Sequence, residues 1–176
     1  MSQTRRDPLL ISARWIVNFI IAIMGFAATV MTIAIPIILL NQGKVIAEII
    51  AERPEAAGSS LIGPIIVFLL VFITLLSFAI IWLVNLRRLI GSVGDGDPFT
   101  PVNADRLARM GWIALFMQFA AFPATALVGW LQKAIEDVNV DFEFSLTGLL
   151  LALILFILAR VFRQGTQMRD DLEGTV

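Results

Sequence analysis

The chain contains no cysteine, no histidine and no tyrosine. The first absence removes disulfides, thiolate nucleophiles and cysteine metal ligands together. The second removes the imidazole that commonly holds haem iron or zinc, and with it the side chain whose ordinary charge change falls near neutral pH. No HExxH, GxSxG, Walker A or GxGxxG spacing is present. Charge is scarce as well, at 15% of residues, where a soluble domain keeps about a quarter. A net charge of −1 supplies no field to gather nucleic acid, so no direct nucleic-acid partner is expected. These absences lead us to expect a protein that is not an enzyme and carries no cofactor and no metal.

What is present is apolar: 59% of the 176 residues are hydrophobic and the mean hydropathy is +0.89. Charge-free runs occupy residues 15–40, 61–86 and 110–131, and a shorter apolar run at 144–161, free of charge up to Arg160, recruits Phe144 at its start. A helix of ~20 apolar residues crosses the hydrocarbon core of a bilayer. It also closes its own backbone hydrogen bonds, which lipid demands. The expected fold is therefore all-α, an integral membrane four-helix bundle forming a single domain over residues 1–176. Its outer loops would be 41–60 and 132–143, its cytoplasmic loop 87–109, and its first partner the lipid bilayer. Arg5, Arg6 and Arg14 precede the first run, which lacks a small-x-small cleavage pattern and so reads as an uncleaved anchor.

Basic residues set the orientation. With the N-terminus inside, ten fall on the cytoplasmic side (Arg5, Arg6, Arg14, Arg87, Arg88, Arg106, Arg109, Arg160, Arg163 and Arg169) and three outside (Lys44, Arg53 and Lys133). That bias places both termini in the cytoplasm. Acidic residues divide seven and seven and do not decide it. Trp15, Trp82 and Trp112 fall near the inner interface and Trp130 near the outer one.

The connections carry local instructions. In the first outer loop Val45, Ile46, Ile49 and Ile50 share one helical face opposite Lys44, Glu48 and Glu52, which predicts an amphipathic helix on the membrane or over the bundle. Ser59, Ser60 and Pro64 suit the start of the second membrane helix. Gly94-Asp95-Gly96-Asp97-Pro98 forces a reversal, and Thr100-Pro101 is an N-cap followed by a first-turn proline. From Pro101 a helix should run unbroken into the membrane, with Asp105, Arg106 and Arg109 on one arc and Ala104, Leu107, Ala108, Met110 and Gly111 across from it. Pro36 and Pro123 are expected to kink their helices.

Three chemical readings of the acidic residues fail. Gly94 to Asp97 matches the GxGD of intramembrane aspartyl proteases, but it lies in a polar loop and no membrane run contains a second carboxylate. A calcium loop begun at Asp95 would place Arg106 where a bidentate Glu is needed. Glu136, Asp137, Asp141 and Glu143 follow no calcium-loop spacing. Apart from Arg160 at the cytoplasmic end of the last run, the candidate polar groups within the membrane runs are neutral: Asn18, Thr29, Thr32, Thr74, Ser77, Asn85, Gln118 and Thr125. Ion-coupled carriers generally show an intramembrane charge. Gln118 is read as a bond to a neighbouring helix, at Ser77 or Thr74.

The segments GDGDPFTPVNADRL, followed by GW and an apolar run, and FRQGTQMRDDLEGTV after the last run resemble a bacterial four-pass membrane family, the domain of unknown function 2975. The residues that carry the resemblance are Pro98, Phe99, Thr100, Pro101, Asn103 and Leu107 in the loop and Gly165, Leu172, Thr175 and Val176 in the tail. Val102 stands where an acidic residue is common in that family. The resemblance implies residence in the bacterial cytoplasmic (inner) membrane and no established catalytic residues. It also implies a genomic neighbour that is a small helix-turn-helix transcription regulator.

The leading expectation is a non-enzymatic regulatory or scaffold protein. Its cytoplasmic loop and tail would bind such a regulator through Phe99, Thr100, Asn103, Arg106, Arg109, Thr175 and Val176. The alternative is a small-solute channel or exporter subunit built around Gln118, and a third reading is a lipid-acting enzyme using Asp95 and Asp97. Small residues at Ala120 and Ala124, and at Ala121, Thr125 and Gly129, are spaced for close helix contact and are compatible with a homo-oligomer.

Overall fold

The computed structural model describes residues 8–52, 54, 61–94, 96–134 and 145–173. Among them there is no strand. Five α-helices follow in order: α1 Pro8–Leu40, α2 Gln42–Glu52, α3 Ile62–Gly94, α4 Pro101–Ala134 and α5 Leu146–Glu173. All but α2 are long and apolar enough to cross a membrane. Their outward faces carry side chains that water would not tolerate in such number, among them Trp15 at 72% exposure and Phe26 at 73%. Lipid is the solvent that covers a surface of this kind.

Local chemistry explains the boundaries. Pro8 opens α1 at the position where a missing N–H costs nothing. A single residue, Asn41, separates α1 from α2: its N–H donates to Ile37 O at 3.1 Å, and its own carbonyl accepts from Lys44 at 2.9 Å and Val45 at 3.1 Å. The Asn41 carboxamide adds a bond to Ile37 O at 2.9 Å. The Ser145 carbonyl starts α5 by accepting from Gly148 at 3.0 Å. Both α1 and α4 continue through their prolines, Pro36 and Pro123. Past the basic residues Arg87 and Arg88, α3 runs on to Gly94, and α5 extends well past Arg160. Those charges mark where hydrocarbon ends rather than where backbone hydrogen bonding ends.

The chain forms two compact units. In the unit made of residues 25–77 and 119–144, Leu61, Ala124 and Val128 are buried, and Phe68 and Phe72 pack at 5.9 Å. Here α2 is amphipathic as its sequence predicts, with Val45, Ile46, Ile49 and Ile50 half-buried while Lys44, Glu48 and Glu52 are exposed. In the unit made of residues 1–24, 78–118 and 145–176, Leu107 and Met110 of α4 close on Leu155 and Ala159 of α5, flanked by Trp82, Leu86 and Leu89 of α3. All of the candidate site's described residues belong to this second unit.

Candidate functional site

Helix α3 ends in a Schellman motif. Gly96, at φ +83°, donates its N–H to Val93 O at 3.2 Å, and Asp97 donates to Ser92 O at 3.2 Å. A residue with a Cβ is strained at that φ, so glycine is required here, and Pro98 bars any continuation of the helix. The Thr100 N–H then donates back to Pro98 O at 3.1 Å, which makes a γ-turn with Phe99 at its apex. No described non-glycine residue has positive φ, so the turn is of the inverse, unstrained kind. Thr100 caps α4, accepting at Oγ1 from the Asn103 N–H at 3.3 Å, and Pro101 takes the first helical position.

Asn103 ties these pieces together. Its residue exposure is 0%, and its carboxamide is fully engaged. Nδ2 donates to Ser92 Oγ at 2.7 Å and to Pro98 O at 2.8 Å, while Oδ1 accepts from Arg106 Nη1 at 2.8 Å. A guanidinium only donates and the Pro98 carbonyl only accepts, so the amide has one allowed orientation. The Ser92 hydroxyl passes its own proton to Leu89 O at 2.8 Å. One buried side chain thus joins the last turn of α3, the connection and the first turn of α4.

The same connection docks on α5. The Phe99 ring lies 5.0 Å from the ring of Phe162 and crosses Gly165, where an added Cβ would come 2.8 Å from Phe99 Cδ1. Asp97 pairs with Arg169, and Asp105 with Arg163 at 3.1 Å. Further along, Gly111 faces Phe156, and Gly148 faces the carboxamide of the buried Gln118 so closely that a Cβ would collide with it. Positions on α4 rise as their partners on α5 fall, which is antiparallel packing with a glycine at successive contacts. Exposed ion pairs of this type contribute about 0–1 kcal/mol each. The aromatic-on-glycine contacts and the Asn103 network therefore outweigh them.

The residues expected to form a partner surface now separate by position. Asn103 is buried, Thr100 is a cap, and Arg106 is half-buried on Asn103; these three hold the connection in shape. Phe99 keeps 43% exposure beside Val102 at 55%, and Arg109 is exposed. Asp95, Thr175 and Val176, together with Ser59, Ser60 and the four acidic residues of the second outer loop, lie outside the described residues. Asp105, Arg106 and Arg109 are accessible on one arc, while Ala104, Leu107, Met110 and Gly111 are buried across from it. Sequence reasoning missed Ser92, Phe162 and the contact role of Gly165, because each depends on which distant segment arrives beside it.

Among the polar residues of the membrane runs, four hydroxyls turn back on their own helices. Thr29, Thr32, Thr74 and Ser77 donate to Gly25, Ala28, Leu70 and Ile73 carbonyls at 2.7–2.8 Å. Asn85 does likewise to Ile81 O at 2.8 Å. Trp15 and Trp112 are exposed, as interfacial tryptophans are, whereas Trp82 is half-buried and its Nε1 meets no acceptor among the described residues.

Membrane-length helices with outward apolar faces, joined through a built polar connection, define a multi-pass membrane protein. The chain belongs to the family described as protein of unknown function (DUF2975), whose match covers residues 9–176. No curated protein and no solved structure matches it.

Proposed function

We propose that this chain is a non-enzymatic protein of the bacterial cytoplasmic membrane, with both termini inside, that holds a cytoplasmic protein partner. The partner would dock on the surface formed by the α3–α4 connection and the end of α5. A small helix-turn-helix transcription regulator is the occupant we infer, and the membrane protein would act by tethering or restraining it.

One observation carries this reading: the connection is built far beyond what joining two helices requires. A turn needs glycine and proline, both of which are present at Gly96 and Pro98. Burying an Asn with every hydrogen bond satisfied holds Ser92, Pro98 and Arg106 in one arrangement, and a fixed shape matters when something must recognise it. That platform presents Phe99 and Arg109, an aromatic and an arginine of the types enriched at protein interfaces, with the exposed Val102 beside them.

Co-purification of cytoplasmic proteins with the detergent-solubilised full chain tests it, a small helix-turn-helix regulator being the expected catch. Arg109→Ala and Val102→Asp should each weaken capture about tenfold, the effect of losing one interface anchor. If both variants capture the regulator as the parent does, or the parent captures none, the reading fails.

A further inference from the structure

Beside the platform, an open cleft of about 410 Å³ runs along α5, lined by Phe156, Ala159, Arg160, Arg163, Gln164 and Gln167, with Ala108 of α4 at its edge. The α5 residues follow helical spacing, so they make one continuous stripe whose chemistry changes along the helix axis. Phe156 and Ala159 are apolar, Arg160 and Arg163 cationic, and Gln164 and Gln167 neutral amides. A phospholipid such as phosphatidylglycerol presents the matching order from its acyl chains outward: hydrocarbon, then the phosphate beyond the glycerol, then a hydroxylated headgroup. Trp112 stands edge-on to Phe156, with ring centroids 5.4 Å apart, beside the apolar part of the cleft.

The charge inventory selects the kind of headgroup. Arg163 is paired with Asp105, whereas Arg160 has no hydrogen-bond or ion-pair partner among the described residues. The lining contains no carboxylate. The Asp105 carboxylate at the rim is already engaged by Arg163, so the ammonium of a zwitterionic headgroup would have to compete for it, while an anionic headgroup meets Arg160 with no such competitor. Arginine forks onto phosphate oxygens through paired N–H donors, and glutamine amides can hydrogen-bond headgroup hydroxyls. Leu153 and Ile157, exposed on the adjoining apolar surface of α5, would lie along the acyl chains.

We propose that this cleft is a binding site for one anionic phospholipid, with Arg160 as the principal phosphate ligand and Gln164 and Gln167 reading the headgroup. An interfacial arginine that merely snorkels meets any phosphate in reach. A cleft lined from two helices instead selects one lipid class and fills at one equivalent. The site is independent of the protein-partner reading, since lipid occupancy and regulator capture are separate measurements.

Native mass spectrometry of the full chain released from detergent tests it, with phosphatidylglycerol and phosphatidylcholine of identical acyl chains as probes. The parent chain should retain one phosphatidylglycerol that saturates, about tenfold more tightly than phosphatidylcholine, and Arg160→Gln should lose about that factor. Arg88→Gln, which removes an interfacial arginine outside the cleft, should bind as the parent does, and inorganic phosphate in excess should not displace the lipid. Circular dichroism and monodisperse elution of each variant separate lost binding from lost folding. Equal retention of the two lipids, equal losses in Arg160→Gln and Arg88→Gln, or complete displacement by inorganic phosphate would each overturn the assignment.

Discussion

Asn103 on α4 reaches back to Ser92 on α3 with a 2.7 Å hydrogen bond, and that bond spans the chain reversal at Gly96. Replacing Asn103 by Asp keeps the volume but removes both donors, setting a carboxylate oxygen against the Pro98 carbonyl. The Ser92 hydroxyl can turn to donate to the carboxylate, but the Pro98 carbonyl loses its donor and faces a negative charge, which should destabilise the chain by about 1–3 kcal/mol. Thermal unfolding in detergent should register this as a drop of several degrees, roughly 2–4 °C per kcal/mol for a chain of this length. An unchanged midpoint for Asn103→Asp would show that the Asn103 carboxamide does not hold the reversal together.

Two glycine substitutions should act in opposite directions. At Gly91 an added Cβ meets nothing within 4 Å, so Gly91→Ala should gain up to about 1 kcal/mol of helix propensity. At Gly165 the same propensity gain is opposed by a collision with the Phe99 ring at 2.8 Å, a rigid group pinned by Phe162. Overpacking of this kind costs about 1–3 kcal/mol, so Gly165→Ala should be net destabilising and should expose Phe99. Combining it with Phe99→Leu, whose flexible side chain can move aside, should recover part of the loss. A Gly165→Ala chain as stable as the Gly91→Ala chain would mean that Phe99 does not rest on α5.

The two ion pairs invite overestimation. Asp105 and Arg163 side chains are 60% and 58% exposed, and Asp97 and Arg169 are each 50% exposed. Solvent screens such pairs, so a double-mutant cycle on Asp105→Asn with Arg163→Gln should return a coupling below about 1 kcal/mol, falling further with added salt. A coupling of about 2 kcal/mol that persists at high salt would show a desolvated pair and would promote charge over packing in this interface.

Much of the fold is legible in the amino-acid order, and the features that are not share a common cause. The face of α2 containing Val45, Ile46, Ile49 and Ile50 follows from a periodicity contained in a few adjacent residues, as do the reversal at Gly96 and the cap at Thr100. The extensions of α3 to Gly94 and α5 to Glu173 are hidden because hydropathy reports lipid contact, and a helix does not end where the lipid does. By its sequence neighbours alone, Asn103 reads as a surface residue on a polar loop. Its burial depends on Ser92, Pro98 and Arg106 arriving together, and its shielding on the neighbouring helices, none of which is encoded in the residues beside it.

Orientation is the step on which the proposed function stands, and the native absence of cysteine makes it directly measurable. Val102, 55% exposed and outside the Asn103 network, accepts a cysteine without disturbing the turn. If the proposed orientation holds, as the bias of ten basic residues against three predicts, Val102→Cys should resist a membrane-impermeant maleimide in intact cells and react once the membrane is opened. Ala47→Cys, on the exposed face of α2, should show the reverse. If Val102→Cys labels in intact cells and Ala47→Cys does not, the platform faces away from the cytoplasm. A cytoplasmic regulator could then never reach it, whatever its affinity for Phe99, Val102 and Arg109.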